Sequence, residues 1–152
     1  MAYKMVVGVD GSENSEHALR WAFEEKQLRD AELTAVFAWQ YPLIGVPNAF
    51  DGAQLEQEAK DFVVQEVAAV VGEDAGIQTV VAQGDASAML LAACERAQAD
   101  LLVIGARGRE GFTGLLLGSV GQQCALHSPC PVLIVKPTVH TGPPEAAVAA
   151  RG

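Results

Sequence analysis

The apolar residues fall into short blocks separated by stretches with helical spacing. Met5 to Val9 is a valine-rich run bounded by Asp10-Gly11-Ser12, which predicts a buried strand ending in a turn. Ser15 is expected to cap the next helix, with Glu16 in a first turn where the dipole favours negative charge. Ala18, Leu19, Trp21, Ala22 and Phe23 then recur at helical spacing up to about Leu28. Leu33 to Trp39 predicts a second strand, and Tyr41-Pro42 through Pro47-Asn48 a loop. From about Gln54 to Val71 the positions of Leu55, Ala59, Phe62, Val63, Val67 and Val70 are helical, and Gly72 is the expected stop.

The alternation continues to the end of the chain. Ile77 to Ala82 reads as a strand, and Gly84-Asp85 turns into a helix carrying Met89, Leu90, Ala93 and Ala97. Asp100 precedes the strand Leu101 to Ile104, a helix follows from about Ser119 to Leu126, and Val132 to Val135 is the last strand. Strands alternating with helices imply βαβ units, hence an α/β fold: a single-domain, doubly wound, five-stranded parallel sheet with helices on both faces. The expected strand order is 3-2-1-4-5. Ligands in such sheets bind beyond the carboxyl ends of the strands at the switch point, here between the first and fourth strands. Asp10 and Gly105 are therefore expected to be neighbours.

Composition narrows the picture. With 152 residues, 50% of them hydrophobic, the chain can bury one substantial core, expected over residues 1–137. Residues 138–152, rich in Pro, Ala and Gly, are expected to form a flexible tail. Apolar stretches fall well short of the ~18 residues that span a bilayer, and Asp10 interrupts any leader-like start, so no membrane partner and a cytoplasmic location are expected. A formal net charge of −9 opposes binding to nucleic acid. Cys94, Cys124 and Cys130 form no CxxC pair and read as small buried hydrophobes, with Cys130 partly exposed between Pro129 and Pro131. His17, His127 and His140 are scattered, so no protein metal site is expected, and His127 is read as structural.

The most informative segment runs from Gly105 to Ser119: Gly-Ala-Arg-Gly-Arg-Glu-Gly-Phe-Thr-Gly-Leu-Leu-Leu-Gly-Ser. A buried strand that ends in a glycine-studded loop and opens a helix presents backbone N–H groups to one point, which suits phosphate. The P-loop signature is absent, because Gly118-Ser119 lacks its lysine, and Gly105-Ala106-Arg107-Gly108 does not supply GxGxxG. What remains is Gly105, two residues, Gly108, nine residues, then Gly118-Ser119.

With Val6-Val7-Gly8-Val9-Asp10-Gly11-Ser12 at the start and Pro129-Cys130-Pro131-Val132-Leu133-Ile134-Val135 at the end, this pattern resembles the universal stress protein family, in its ATP-binding type. The resemblance implies a Rossmann-like nucleotide-binding domain. It places Gly105 and Gly108 against ribose and phosphates, and Gly118, Ser119 and Val120 on the far side of the polyphosphate. It assigns the ribose hydroxyls to Asp10, with Gly11 and Ser12 beside it, and the adenine edge to the backbone of Ala38. Each assignment has an ordinary competitor. Asp10 can brace its own turn, Ser12 and Ser15 can touch phosphate or cap the helix, and Arg107 and Arg109 can reach phosphate or stay solvated. Gly111 and Gly114 are given no contact.

No catalytic set is evident, so the expectation is an ATP-binding stress-response module with little or no turnover. A divalent ion, Mg2+ or Mn2+, can enter with the triphosphate. The alternatives are a slow ATP hydrolase or phosphotransferase with Ser119 as acceptor, and a dimeric interaction module that binds AMP, cyclic AMP or no nucleotide. A homodimer is expected through the last strand, Val132, Leu133, Ile134 and Val135, whose open edge invites another strand.

Overall fold

The computed structural model describes residues 2–40, 52–107 and 117–137. Its elements are β1 (Lys4–Gly8), α1 (Glu13–Arg29), β2 (Glu32–Trp39), α2 (Gly52–Val71), β3 (Gln78–Gln83), α3 (Ala86–Ala97), β4 (Leu101–Gly105), α4 (Ser119–His127) and β5 (Val132–Val135). The five strands form one sheet in the order β3-β2-β1-β4-β5, and every pairing is parallel. This is the doubly wound order expected from the alternating pattern.

Side-chain alternation along the strands divides the core into two layers. Met5, Val7 and Val9 point to one face, where Leu33, Ala35 and Val103 meet Ala18, Leu19 and Ala22 of α1 and Val63 and Val67 of α2. Val6, Val36, Leu102 and Ile104 point to the other, where they meet Leu90 and Cys94 of α3 and Cys124 of α4. Because β1 and β4 are covered on both faces, they read as unbroken apolar runs. Three consecutive β1 residues, Met5, Val6 and Val7, are buried.

Among the described residues, two helices begin on side-chain caps, and one of these corrects the sequence reading. The cap of α1 is Ser12, whose Oγ accepts the Ser15 N–H at 3.2 Å; Ser15 lies inside the helix and is buried. Helix α3 is capped by Asp85, which accepts the Ala88 N–H at 3.1 Å and the Ser87 hydroxyl at 2.6 Å. These bonds, the Ser87 hydroxyl first, hold the Asp85 carboxyl below its ordinary pKa. His127, read as structural, is exposed in the last turn of α4. The expected loop around 41–48 and the expected tail over 138–152 lie outside the described residues.

Candidate functional site

The carboxyl edge of the sheet gathers the loops after β1, β2 and β4. After β1 the chain reverses through Gly11, whose φ of 80° lies in the left-handed region that glycine enters without a Cβ penalty. The reversal is held by a closed set of short bonds. Asp10 Oδ1 accepts the Ser12 N–H at 2.9 Å, and the Asp10 N–H donates to Ser15 Oγ at 3.2 Å. Ser15 Oγ in turn donates to the Ser12 carbonyl at 3.2 Å. Asp10 thus braces its own turn. A carboxylate has about four lone-pair directions, and the Asp10 side chain is half-buried.

The loop after β4 starts and ends at one place. Ala106, itself buried, donates its N–H to the Val135 carbonyl at 3.0 Å and accepts the Gly118 N–H at 2.8 Å. Both ends of the segment are therefore stitched to the end of the sheet. Gly118 occupies the N-cap position of α4 with φ −72° and ψ 169°, and among the described residues no side chain caps that helix. Behind it the Gln122 N–H already bonds the Gly118 carbonyl at 3.0 Å. A helix start without a side-chain acceptor leaves its first N–H groups and the positive end of its dipole to an external anion.

Gly105 closes the gap between β4 and α1. A Cβ there would lie 2.8 Å from the Asn14 Cβ, so no side chain fits between the strand end and the first turn of α1. Sequence reasoning assigned this glycine to ligand approach and passed over Asn14. The Oδ1 of Asn14 is buried and makes no hydrogen bond. A polar residue in a first helical turn carries no distinguishing signal, and only the approach of β4 makes it notable.

Strand β2 outruns β1. The last β1–β2 pair is Gly8 with Val36, and the Val9 N–H reaches the Val36 carbonyl at 2.9 Å, whereas β2 stays paired to β3 through Ala38 and Trp39. In a parallel ladder, backbone groups two residues apart point the same way. The N–H and carbonyl of Ala38 therefore face the side that β1 has vacated.

The structure brings Asp10, Gly11, Ser12, Ala38, Gly105, Arg107, Gly118, Ser119 and Val120 to this one edge, at the ends of β1, β2 and β4 and the start of α4. Arg107 is half-buried and Ser119 exposed. Gly108, Arg109, Gly111 and Gly114 lie outside the described residues. Among the described residues no group of three His, Cys, Asp or Glu side chains could hold a metal, and no helix is long and apolar enough to cross a membrane.

The sequence model of the universal stress protein family matches residues 1–136. The chain belongs to that family. A universal stress protein of Mycobacterium tuberculosis is 32% identical over 134 residues, covering 87% of this chain and 44% of its own length. The chain thus spans less than half the length of such curated relatives. A family member from Thermus aquaticus is 32% identical over 138 residues, covering 87% of this chain and 97% of its own. Among solved structures, a universal stress protein in complex with cAMP superposes with a TM-score of 0.65 at 25% identity, over 92% of this chain and 98% of its own.

Proposed function

We propose that this family member binds ATP at the carboxyl edge of its sheet and acts as a stress-response regulatory module with little or no turnover. The observation that carries this reading is the start of α4, where Gly118 offers no side-chain cap and the loop before it is tied to Ala106. The buried Oδ1 of Asn14 supports it, because an unsatisfied acceptor costs about 1–3 kcal/mol and gains from a ligand or water that donates to it.

In this reading the polyphosphate rests on the N–H groups of Ser119 and Val120 beside Gly118, with Gly105, Arg107 and Gly108 along the loop. Asp10, flanked by Gly11 and Ser12, takes the ribose hydroxyls, and the outward backbone of Ala38 takes the adenine edge. A Mg2+ or Mn2+ ion arrives with the triphosphate and offsets its charge. The unit is residues 1–137, with 138–152 an appended tail, working in the cytoplasm. Two copies pair through the free edge of β5.

A second reading, in which the site takes AMP or cyclic AMP, is favoured by the relative in complex with cAMP. Calorimetric titration of ATP, AMP and cyclic AMP into nucleotide-stripped protein separates the two. The first reading expects ATP to bind most tightly, with product formation far below about 1 s⁻¹, the low end of ordinary enzyme turnover. Tighter binding of cyclic AMP would favour the second, and no binding of any of the three would reject both.

A further inference from the structure

The N–H groups at the start of α4 are not equivalent. Those of Gly118, Ser119, Val120 and Gly121 precede the first intrahelical bond, which runs from the Gln122 N–H to the Gly118 carbonyl at 3.0 Å. The Gly118 N–H is committed to the Ala106 carbonyl at 2.8 Å, and Gly121 is buried. Ser119 is exposed and Val120 half-buried, so an anion at this helix start meets their two N–H groups.

Two residues on α4 itself hold this arrangement. Gln122 Nε2 reaches back past the N-cap and donates to the Leu117 carbonyl at 3.1 Å. In a planar trans peptide the C=O and N–H point in opposite directions, so the Leu117–Gly118 unit is gripped at both ends, its oxygen by Gln122 and its N–H by Ala106. The Leu117 side chain lies over Gly121, where a Cβ would come within 2.7 Å of Leu117 Cδ1 and 3.0 Å of its Cγ. Leu117 is thus seated on the helix it leads into.

Helix stability alone explains neither residue. The Gln122 side chain donates, whereas the groups that a helix start leaves unpaired are themselves N–H donors, so this bond caps none of them. Glycine inside a helix is a poorer former than alanine, yet Gly121 stands in the first turn of α4. Both residues instead fix the position of Leu117.

We propose that Gln122 is a positioning residue for a polyphosphate ligand: by holding the Leu117 carbonyl it keeps the Gly118 N–H turned onto Ala106 and aims the Ser119 and Val120 N–H groups at phosphate. Gly121 supplies the seat that lets Leu117 stay in place. The proposal rests on the reading of this edge as the nucleotide site, and adds which N–H groups meet the anion and what aims them. Because the recognised chemistry is phosphate, Gln122 should act on ATP and not on adenosine, which brings a base and a ribose but no anion.

The test is calorimetric titration of ATP and of adenosine into the nucleotide-stripped full chain, with urea unfolding on the same preparations. Gln122→Met keeps the length and helix propensity of the side chain but removes its donor. It should narrow the parent's preference for ATP over adenosine by about threefold or more, the worth of one ordinary hydrogen bond, with adenosine affinity and the urea midpoint held. Gly121→Ala should narrow the same preference while its urea midpoint holds or rises, a combination that a merely structural role would not produce. Gln123→Met, at the adjacent exposed position, should leave the preference unchanged. An unchanged preference in Gln122→Met, or equal losses for ATP and adenosine, would overturn the positioning role while leaving ATP binding by the parent protein intact. A parent that binds ATP no better than adenosine would overturn the nucleotide reading and this proposal with it. Should Gln122→Met fail to fold, Gly121→Ala decides by the same ratio.

Discussion

A Cβ on Gly105 would stand 2.7 Å from the carbonyl carbon of Asn14 and 2.8 Å from its carbonyl oxygen. The atoms in the way are backbone, which cannot rotate aside as a side chain can. Gly105→Ala should therefore push the first turn of α1 away from β4, at an overpacking cost of about 1–3 kcal/mol. Because that turn carries the Asp10–Ser12–Ser15 bonds, nucleotide affinity should fall along with stability. Urea unfolding and calorimetric titration on one preparation check both. An unchanged urea midpoint would mean the contact is looser than described.

Asp10 and Ser12 share a turn and can be separated by chemistry. Ser12→Ala removes the cap of α1 and should cost about 1 kcal/mol of stability. Asp10→Asn keeps an oxygen for the Ser12 N–H but removes the charge. It should leave the urea midpoint near the parent value and weaken ATP binding, since a hydrogen bond to a charged group is worth about 1.5–3 kcal/mol. Equal loss of stability in both variants would make Asp10 a turn residue alone.

Gly118→Glu tests the phosphate position. With φ −72° and ψ 169°, the Gly118 backbone is open to any residue, so the variant should fold. A carboxylate at this helix start would compete for the same N–H groups and repel phosphate. ATP affinity should drop at least tenfold, about 1.4 kcal/mol, with circular dichroism unchanged. A folded variant that binds ATP like the parent would move the polyphosphate elsewhere.

The buried thiols set an alkaline limit on stability. Below pH 9.0, the ordinary thiol value, Cys94 is protonated whether folded or unfolded; above it the unfolded chain ionises while the fold holds the proton to about 12. Stability should thus fall as pH rises from about 9 to about 12. Cys124, pushed up to about 11 by burial and then by the charge of Asp85, adds to the early part of the decline. The slope per thiol is at most about 1.4 kcal/mol per pH unit. Urea midpoints across this range should fall less steeply for Cys94→Ala than for the parent protein.

Pairing through β5 can be tested on its open side. The Pro131 and Val135 carbonyls accept from Leu102 and Ala106, so alternate residues face β4 and the backbone groups of Val132 and Ile134 face outward. Ile134→Pro deletes one outward donor without touching the inner ladder. Light scattering should show a dimer for the parent protein and a shift toward monomer for the variant. A monomeric parent would reject pairing through this edge.

Most of the fold was legible because burial on two faces writes continuous apolar runs, as in Met5 to Val9 and Leu101 to Ile104, and helices of period 3.6 lie between them. Cap identity was not, since Ser12 and Ser15 are both good formers and only the bond from the Ser15 N–H to Ser12 Oγ distinguishes them. The site edge followed from topology, as the ends of β1 and β4 lie side by side. The fit of Gly105 onto Asn14 is a contact between distant segments, with no periodicity or spacing to announce it.

Ala106 is one residue with two attachments, its N–H on the end of β5 and its carbonyl on the start of α4. A nucleotide that stiffens the helix start and a second copy that stiffens the edge strand would both draw on the ordering of this one residue. Whichever came first would spare the other part of its entropic cost. Linkage then requires the effect to run equally in both directions, so that nucleotide saturation would sharpen with protein concentration and dimer strength would report nucleotide supply.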